Sequence, residues 1–342
     1  MLILAVESSC DETAVALVRD GRTVLADCIA SSVEMHKLYG GVVPEIASRK
    51  HIEVISQLAD QALAQAGVTR GDIDAVAVTY APGLIGAVLV GVSFAKAVAY
   101  ALGVPLIPVH HVRGHIAANY IAHPDLEPPF VCLCVSGGTS LIVDVKGYTD
   151  MAILGGTRDD AAGECFDKIA RVMGLGYPGG APLDRAAQGG DDQAFPLPRV
   201  HIEDAPLDMS FSGLKTAMLN LIHKAQQKGE ALPVADLAAS FSAAVSDELV
   251  PRTMAAARQT GYGKVAVVGG VAANSRIRRD LEAACQQAGC TLYLPPLKLC
   301  GDNGSMIGSQ GYYEYLAGTR GGEDLNGYAN RDISLPYRRE GV

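Results

Sequence analysis

The sequence predicts an α/β fold made twice over, as two related lobes around a cleft. Three observations lead there. A strand–turn–strand unit at the start of the chain recurs near its middle, and a strand–glycine turn–helix–strand unit recurs after each. The 342 residues also exceed one ordinary domain.

Taken in order, residues 2–6 form an apolar run, 7–12 a polar turn, 13–18 a second apolar strand and 22–26 a third. Residues 73–79 read as a strand running into APGLIG, followed by a helix over about 87–102 and a strand over 105–109. HPDLEPP at 123–129, rich in proline and acid, reads as a linker. The pattern then repeats: strand 130–135, turn 136–140, strand 141–145 and a further strand 151–154. Strand 264–268 runs into GGVAAN, with a helix over 275–288 and a strand over 291–294. A short helix over 304–316 precedes a Gly-rich polar tail. Strands alternating with helices imply βαβ crossovers and a largely parallel sheet. Ligands in such sheets bind at the carboxyl ends of strands, where the glycine turns fall. The expected division is a first lobe over 1–126 carrying the histidines discussed below, a second over 127–302, and a helix and tail over 303–342 packing back on the first. This duplicated pattern resembles the actin, sugar-kinase and Hsp70 superfamily, which implies an actin-like two-lobed fold with a central interlobe cleft.

Hydrophobic residues make up 49% and charged residues 19%, enough for a large core and unlike a disordered chain. A net charge of −9 argues against a protein that coats nucleic acid, because affinity for phosphates rests on Lys and Arg. A local basic patch remains open. Arg276, Arg278 and Arg279 form one cluster, and Arg331, Arg338 and Arg339 another, although a solvated face is the commoner meaning of such groups. The eight cysteines include no CxxC pair, and Cys132 and Cys134 share one face of a strand, which suits a reducing, cytoplasmic setting. The apolar start lacks a basic segment and a cleavage-like site, so it reads as a strand rather than a signal peptide. Gly83, Gly86, Gly91, Lys96 and Gly103 interrupt the apolar stretch 81–104, which reads as a loop and a buried helix with no membrane span.

His111 and His115 in HVRGH are four apart, so on a helix both imidazoles reach one ion. Asp302 in CGDNGSMIG is the best carboxylate to complete a site. Two His and one carboxylate, with other positions open, suit Fe(II) or Zn(II). The zinc-protease pattern H-E-x-x-H needs a Glu where Val112 stands, so peptide hydrolysis is a poor reading.

Ser136–Gly137–Gly138–Thr139 is a turn whose amides can wrap an anion or acyl group, or simply close a hairpin. Asp160, Glu164 and Asp167 are spaced to share one helical face opposite Phe166, Ile169, Val172 and Met173. Gly174, Gly176 and Gly179 match G-x-G-x-x-G but follow a helical pattern rather than a strand, which discounts a dinucleotide site. In GGVAAN, Asn274 serves equally as a ligand to ribose or acyl amide and as a helix N-cap.

Together these segments resemble one family, the universal tRNA threonylcarbamoyladenosine transferases (the TsaD group, once mislabelled sialoglycoproteases). The resemblance runs from about residue 3 to 308 through LAVESSCDETAVAL, VVPEIASR, APGLIGAVLVG, HVRGH, VSGGTS, DDAAGECFDK, YPGG, FSGLKTA, GGVAANSRIR and GDNGSMI. It implies transfer of a threonylcarbamoyl group from threonylcarbamoyl-AMP to N6 of adenosine 37, in tRNAs reading codons that begin with A. It implies metal ligation by His111, His115 and Asp302, with Fe(II) ahead of Zn(II). It also implies substrate contacts from Cys134, Val135, Ser136, Gly137 and Gly138, chiefly through backbone, and from Asp167, Gly180, Asp184 and Asn274. Asp11 and Glu12 resemble acids at the family's cleft. The implied partners are tRNA, a paralogous actin-like subunit and a P-loop ATPase. The family usually has His or Asn after SGG, whereas Thr139 stands here, so a side-chain role at that position is not carried over. The alternatives are an actin-fold ATPase or kinase, which would need no His pair, and a non-catalytic scaffold, which would need neither HVRGH nor GDN.

Overall fold

The computed structural model describes residues 1–200 and 202–337. They fall into two compact units: Met1–Pro128 with Lys146–Met151 and the chain from Pro295 onward, and Pro129–Val145 with Ala152–Leu294.

The first unit is built on strands β1 (Leu2–Glu7), β2 (Glu12–Arg19), β3 (Thr23–Ser31), β4 (Ala75–Ala81) and β5 (Leu106–His110), in the order β3-β2-β1-β4-β5. β1 lies mid-sheet and is buried throughout, which its unbroken apolar run allows. It pairs antiparallel with β2 and parallel with β4, with Glu7 opposite Ala14 and Val6 opposite Val78. Helix α1 (Val33–Lys37) follows β3. Alternation sends Leu2, Leu4 and Val6 to the face covered by α2 (Pro44–Ala66) and α3 (Ile85–Leu102). Ile3 and Ala5 go to the face covered by α4 (His111–Ala122) and α10 (Gly304–Leu316).

α10 lies unusually close to its sheet. A Cβ at Gly304 would come within 2.8 Å of the Ala16 amide nitrogen, and one at Gly308 within 2.5 Å of Val18 Cγ2. Small Ala5, Ala16 and Ala77 complete the fit on the sheet side. The helix start is capped twice. Asn303 Oδ1 accepts from the Met306 amide at 2.8 Å, and Asp27 on β3 accepts from the amides of Gly304 and Ser305 at 3.2 and 3.0 Å.

α3 has the length and apolarity to cross a membrane. Here it lays Ala87, Val88, Gly91, Val92, Ala95 and Ala99 on the sheet and leaves Tyr100 exposed, so it is buried on one face rather than all round.

The second unit repeats the topology with β6 (Phe130–Val135), β7 (Ser140–Val145), β8 (Met151–Gly156), β9 (Lys264–Val268) and β10 (Thr291–Tyr293), in the order β10-β9-β6-β7-β8. Around it lie α5 (Ala162–Val172), α6 (Gly180–Ala186), α7 (Ser212–Lys228), α8 (Val234–Thr260) and α9 (Ser275–Ala288). The expected second-lobe boundary at 302 moves to 294, because the chain after Pro295-Pro296 joins the first unit. Asp302 therefore belongs with the histidines. Arg338 and Arg339 of the expected tail cluster lie outside the described residues.

Candidate metal centre

β5 ends in His110 and α4 begins at His111. His110 is the N-cap: its Nδ1 accepts the Val112 amide at 3.2 Å, which leaves the proton on Nε2 to donate to the Arg331 carbonyl at 3.1 Å. Burial holds its pKa down at about 3, so it is neutral. One helical turn then places His111 and His115 side by side, ring centroids 4.6 Å apart. Asp302, just before the doubly capped α10, brings Oδ1 to 3.1 Å from His115 Nε2 and 3.5 Å from His111 Nε2.

This is a convergence rather than a hydrogen-bonded cluster. Among the described residues, neither ring nitrogen of buried His115 has a hydrogen-bond partner, despite the nearness of Asp302. Buried polar groups are rarely left so. One ligand atom from each of the three residues lies within 4.8 Å of the others, the donor set of a divalent cation. Without a cation the charges compensate one another. Burial opposes both charged forms, yet Glu7 and Asp302 raise His111 to about 9, and the histidines hold Asp302 at about 2. Val112, at the place a zinc protease needs its Glu, is buried in the core.

The residue the sequence reading passed over is Glu7. Its carboxylate is fully buried at the end of β1, where it takes the Ser9 amide at 2.6 Å, the Thr79 hydroxyl and His111 Nδ1 at 3.1 Å. Burial pushes its pKa up, but the His111 partner more than offsets this and holds it low. Nearby, the Glu12 carboxyl accepts from Ser31 at 3.0 Å. Burial, then Asp11, then Asp302 raise Glu12 to about 9, so it carries a proton at neutral pH. Between the two histidines, Arg113 is buried and ties α4 to α10 through Glu314 at 3.0 Å and to the tail through the Ile333 carbonyl.

In the second unit the predicted binding loops meet at the ends of β6 and β9. Cys134 and Val135 are the buried end of β6, and Gly137 and Gly138 in the following turn are exposed with open space where a Cβ would sit. Gly269 has φ +91° and approaches the Val135 carbonyl so closely that a Cβ would lie 2.3 Å away. The polar side chains there brace the loops. Asp167 accepts the Gly179 amide at 2.7 Å, next to Gly180 at the start of α6. Asp184 accepts the amide and hydroxyl of Ser275, at 3.1 and 2.8 Å. Asn274 caps α9 through the Ile277 amide at 3.1 Å, the capping role weighed from sequence.

Two expectations change. Asp160, Glu164 and Asp167 do not form one helical face, because α5 begins only at Ala162 and Asp160 instead pairs with Lys215. The Arg276 cluster is largely neutralised: Arg276 bonds Asp192 and, at 2.5 Å, Asp280, while Arg279 lies 3.5 Å from Asp280. Arg331 lies over the Tyr328 and Tyr80 rings, at 5.1 and 5.7 Å from their centroids.

The family described as tRNA N6-adenosine threonylcarbamoyltransferase (TsaD) matches residues 23–309. A protein of that name from Clostridium botulinum strain 657 is 52% identical over 96% of this chain and 96% of its own length. One from Moorella thermoacetica is 54% identical over 92% of each. Among solved structures, component A of the (R)-2-hydroxyglutaryl-CoA dehydratase of Acidaminococcus fermentans matches with a TM-score of 0.54 at 14% identity, over 93% of this chain and 98% of that one. HypF of T. kodakarensis matches at 0.61 and 18% identity, over 95% of this chain and 49% of that one. Both likenesses concern the fold, and they agree with the duplicated actin-like arrangement of the two sheets.

Proposed function

From the premise that this chain belongs to the tRNA N6-adenosine threonylcarbamoyltransferase family, we infer that it carries out the transfer with one divalent cation held by His111, His115 and Asp302. The reading is of a threonylcarbamoyl group passing from threonylcarbamoyl-AMP to N6 of adenosine 37, in tRNAs reading codons that begin with A. The observation that carries the cation is the convergence of three donors with the buried His115 nitrogens otherwise unbonded. Two nitrogens and one carboxylate suit Fe(II) or Zn(II), and the family resemblance puts Fe(II) first. When bound, such a cation supplies Lewis-acid polarisation of an acyl oxygen.

The chain's own residues supply positioning. Gly137 and Gly138 are exposed, with open space where a Cβ would sit, and their amides suit the acyl or phosphate oxygens of the donor. The braces from Asp167 to Gly179 and from Asp184 to Ser275 keep the loops around Gly180 and Asn274 in fixed shape, so that binding the adenylate orders little further. Neutral Glu12 can donate a hydrogen bond near Asp302. We read the partners as tRNA, a paralogous actin-like subunit and a P-loop ATPase, in the cytoplasm, a setting that suits eight free thiols.

The test is incubation of the purified protein with threonylcarbamoyl-AMP and unmodified tRNA, with nucleosides read by mass spectrometry and metal by elemental analysis. The native chain is expected to give modified adenosine, and His111→Ala to lose metal and product together. Full turnover by a metal-free variant rejects the cation's role.

A further inference from the structure

The ends of three neighbouring parallel strands meet behind the histidines. Glu7 closes β1, Thr79 lies near the end of β4, and His111 follows β5 directly. Parallel pairing of β1 with β4, Val6 opposite Val78, sets Glu7 beside Thr79. The Thr79 hydroxyl donates to Glu7 Oε2, and the Ser9 amide donates to Oε1 at 2.6 Å, so the carboxylate is turned by two fixed donors. The carboxylate also meets His111 Nδ1 at 3.1 Å. An ionised carboxylate only accepts, so His111 Nδ1 carries a proton, and Nε2, which faces Asp302, is the nitrogen left to ligate a cation. Ser9 Oγ, 3.1 Å from the same Nδ1, helps hold the ring plane.

We propose that Glu7 is the positioning residue of the metal centre: it fixes the tautomer and orientation of His111 and supplies the second negative charge that, with Asp302, balances a divalent cation. The proposal rests on the cation reading above. Carboxylates behind ligating histidines act in this way generally, and their loss typically weakens metal binding by about 10–100-fold. A fully buried carboxylate is costly unless something charged needs it. His115 Nδ1 finds no such support among the described residues, so the two proposed ligands differ in what holds them.

The experiment is a Co(II) titration of the metal-free full chain, followed by d–d absorption and competition with a chelator of known affinity, for the native protein and Glu7→Gln. A native protein that takes up no Co(II) sinks the cation reading, and this proposal with it. If native protein binds, the expected result is an affinity for Glu7→Gln lower by about 10-fold or more in a variant that still folds, although the metal-free variant melts below the native chain because Glu7 faces His111. An unchanged affinity, with or without a fall in melting temperature, marks Glu7 as structural and overturns the proposal while leaving the cation reading intact. Should Glu7→Gln not fold, Thr79→Val takes its place. Removing the hydroxyl that turns the carboxylate is expected to weaken Co(II) by about fivefold, one hydrogen bond's worth, and an equal affinity overturns the proposal.

Discussion

The two units share a strand order and differ in what they place at the strand ends. In the first, the last residue of the central strand is Glu7, and the side chains around it are buried, charged and mutually bonded. In the second, the equivalent place at the end of β6 is Val135, followed by glycines, and the carboxylates nearby are spent on holding backbone in place. The same strand order thus presents side-chain chemistry in one unit and exposed glycines in the other. Function in such a duplicated fold lies in the turns rather than in the sheets.

The comparison breaks most sharply at the three proposed ligands. Asp302→Ala is expected to lower transfer on the order of 100-fold or more, with a smaller cost to the metal-free fold, where it removes one of the two charges that face His111. Product counted by mass spectrometry beside a melting curve separates the two effects. In the second unit the order reverses. Gly269→Ala demands a left-handed backbone from Ala and drives a Cβ into the Val135 carbonyl, so a stability loss of about 3 kcal/mol is expected in denaturant unfolding, with Co(II) affinity unchanged. Asp184→Ala should cost about 1 kcal/mol and weaken adenylate binding, again sparing the metal.

pH sharpens the contrast within the first unit. His110 has a folded pKa of about 3, below the ordinary 6.5, so the unfolded chain binds the extra proton and stability falls as pH drops from 6.5 towards 3. His111 is raised to about 9, so its contribution is complete below 6.5 and is lost as pH rises to 9. Glu12, also raised to about 9, loses its contribution over the same alkaline range, so melting temperatures of the metal-free chain should fall on the alkaline side through both groups and on the acid side through His110. His111→Ala should lessen the alkaline fall, and His110→Asn, which keeps an N-cap acceptor, the acid fall. An alkaline side unchanged in His111→Ala refutes the assignment.

Much of this arrangement was readable beforehand where pattern and physics coincide. Apolar runs broken by glycine turns marked the strands of both sheets, and α9 and the span of α10 fell where their periodicity put them. The pairing of His111 with His115 needed only a helix. α8 was not readable, because an Ala-rich helix buried on nearly every side shows no polar stripe. Glu7 was hidden for another reason: in LAVESS a carboxylate at a strand end looks like the first residue of a turn, and only strand pairing sets it beside Thr79. The acids around α5 misled because spacing by sevens assumes a helix that had not yet begun at Asp160.

The first unit is not contiguous in the chain: it opens with Met1 and is completed only by residues from Pro295 onward. On a ribosome, which releases the polypeptide in order, the histidines emerge long before the aspartate that joins them, and everything in between must be made first. A product cut short before Asp302 can therefore pair the strands of its first sheet yet lacks one of the three proposed donors.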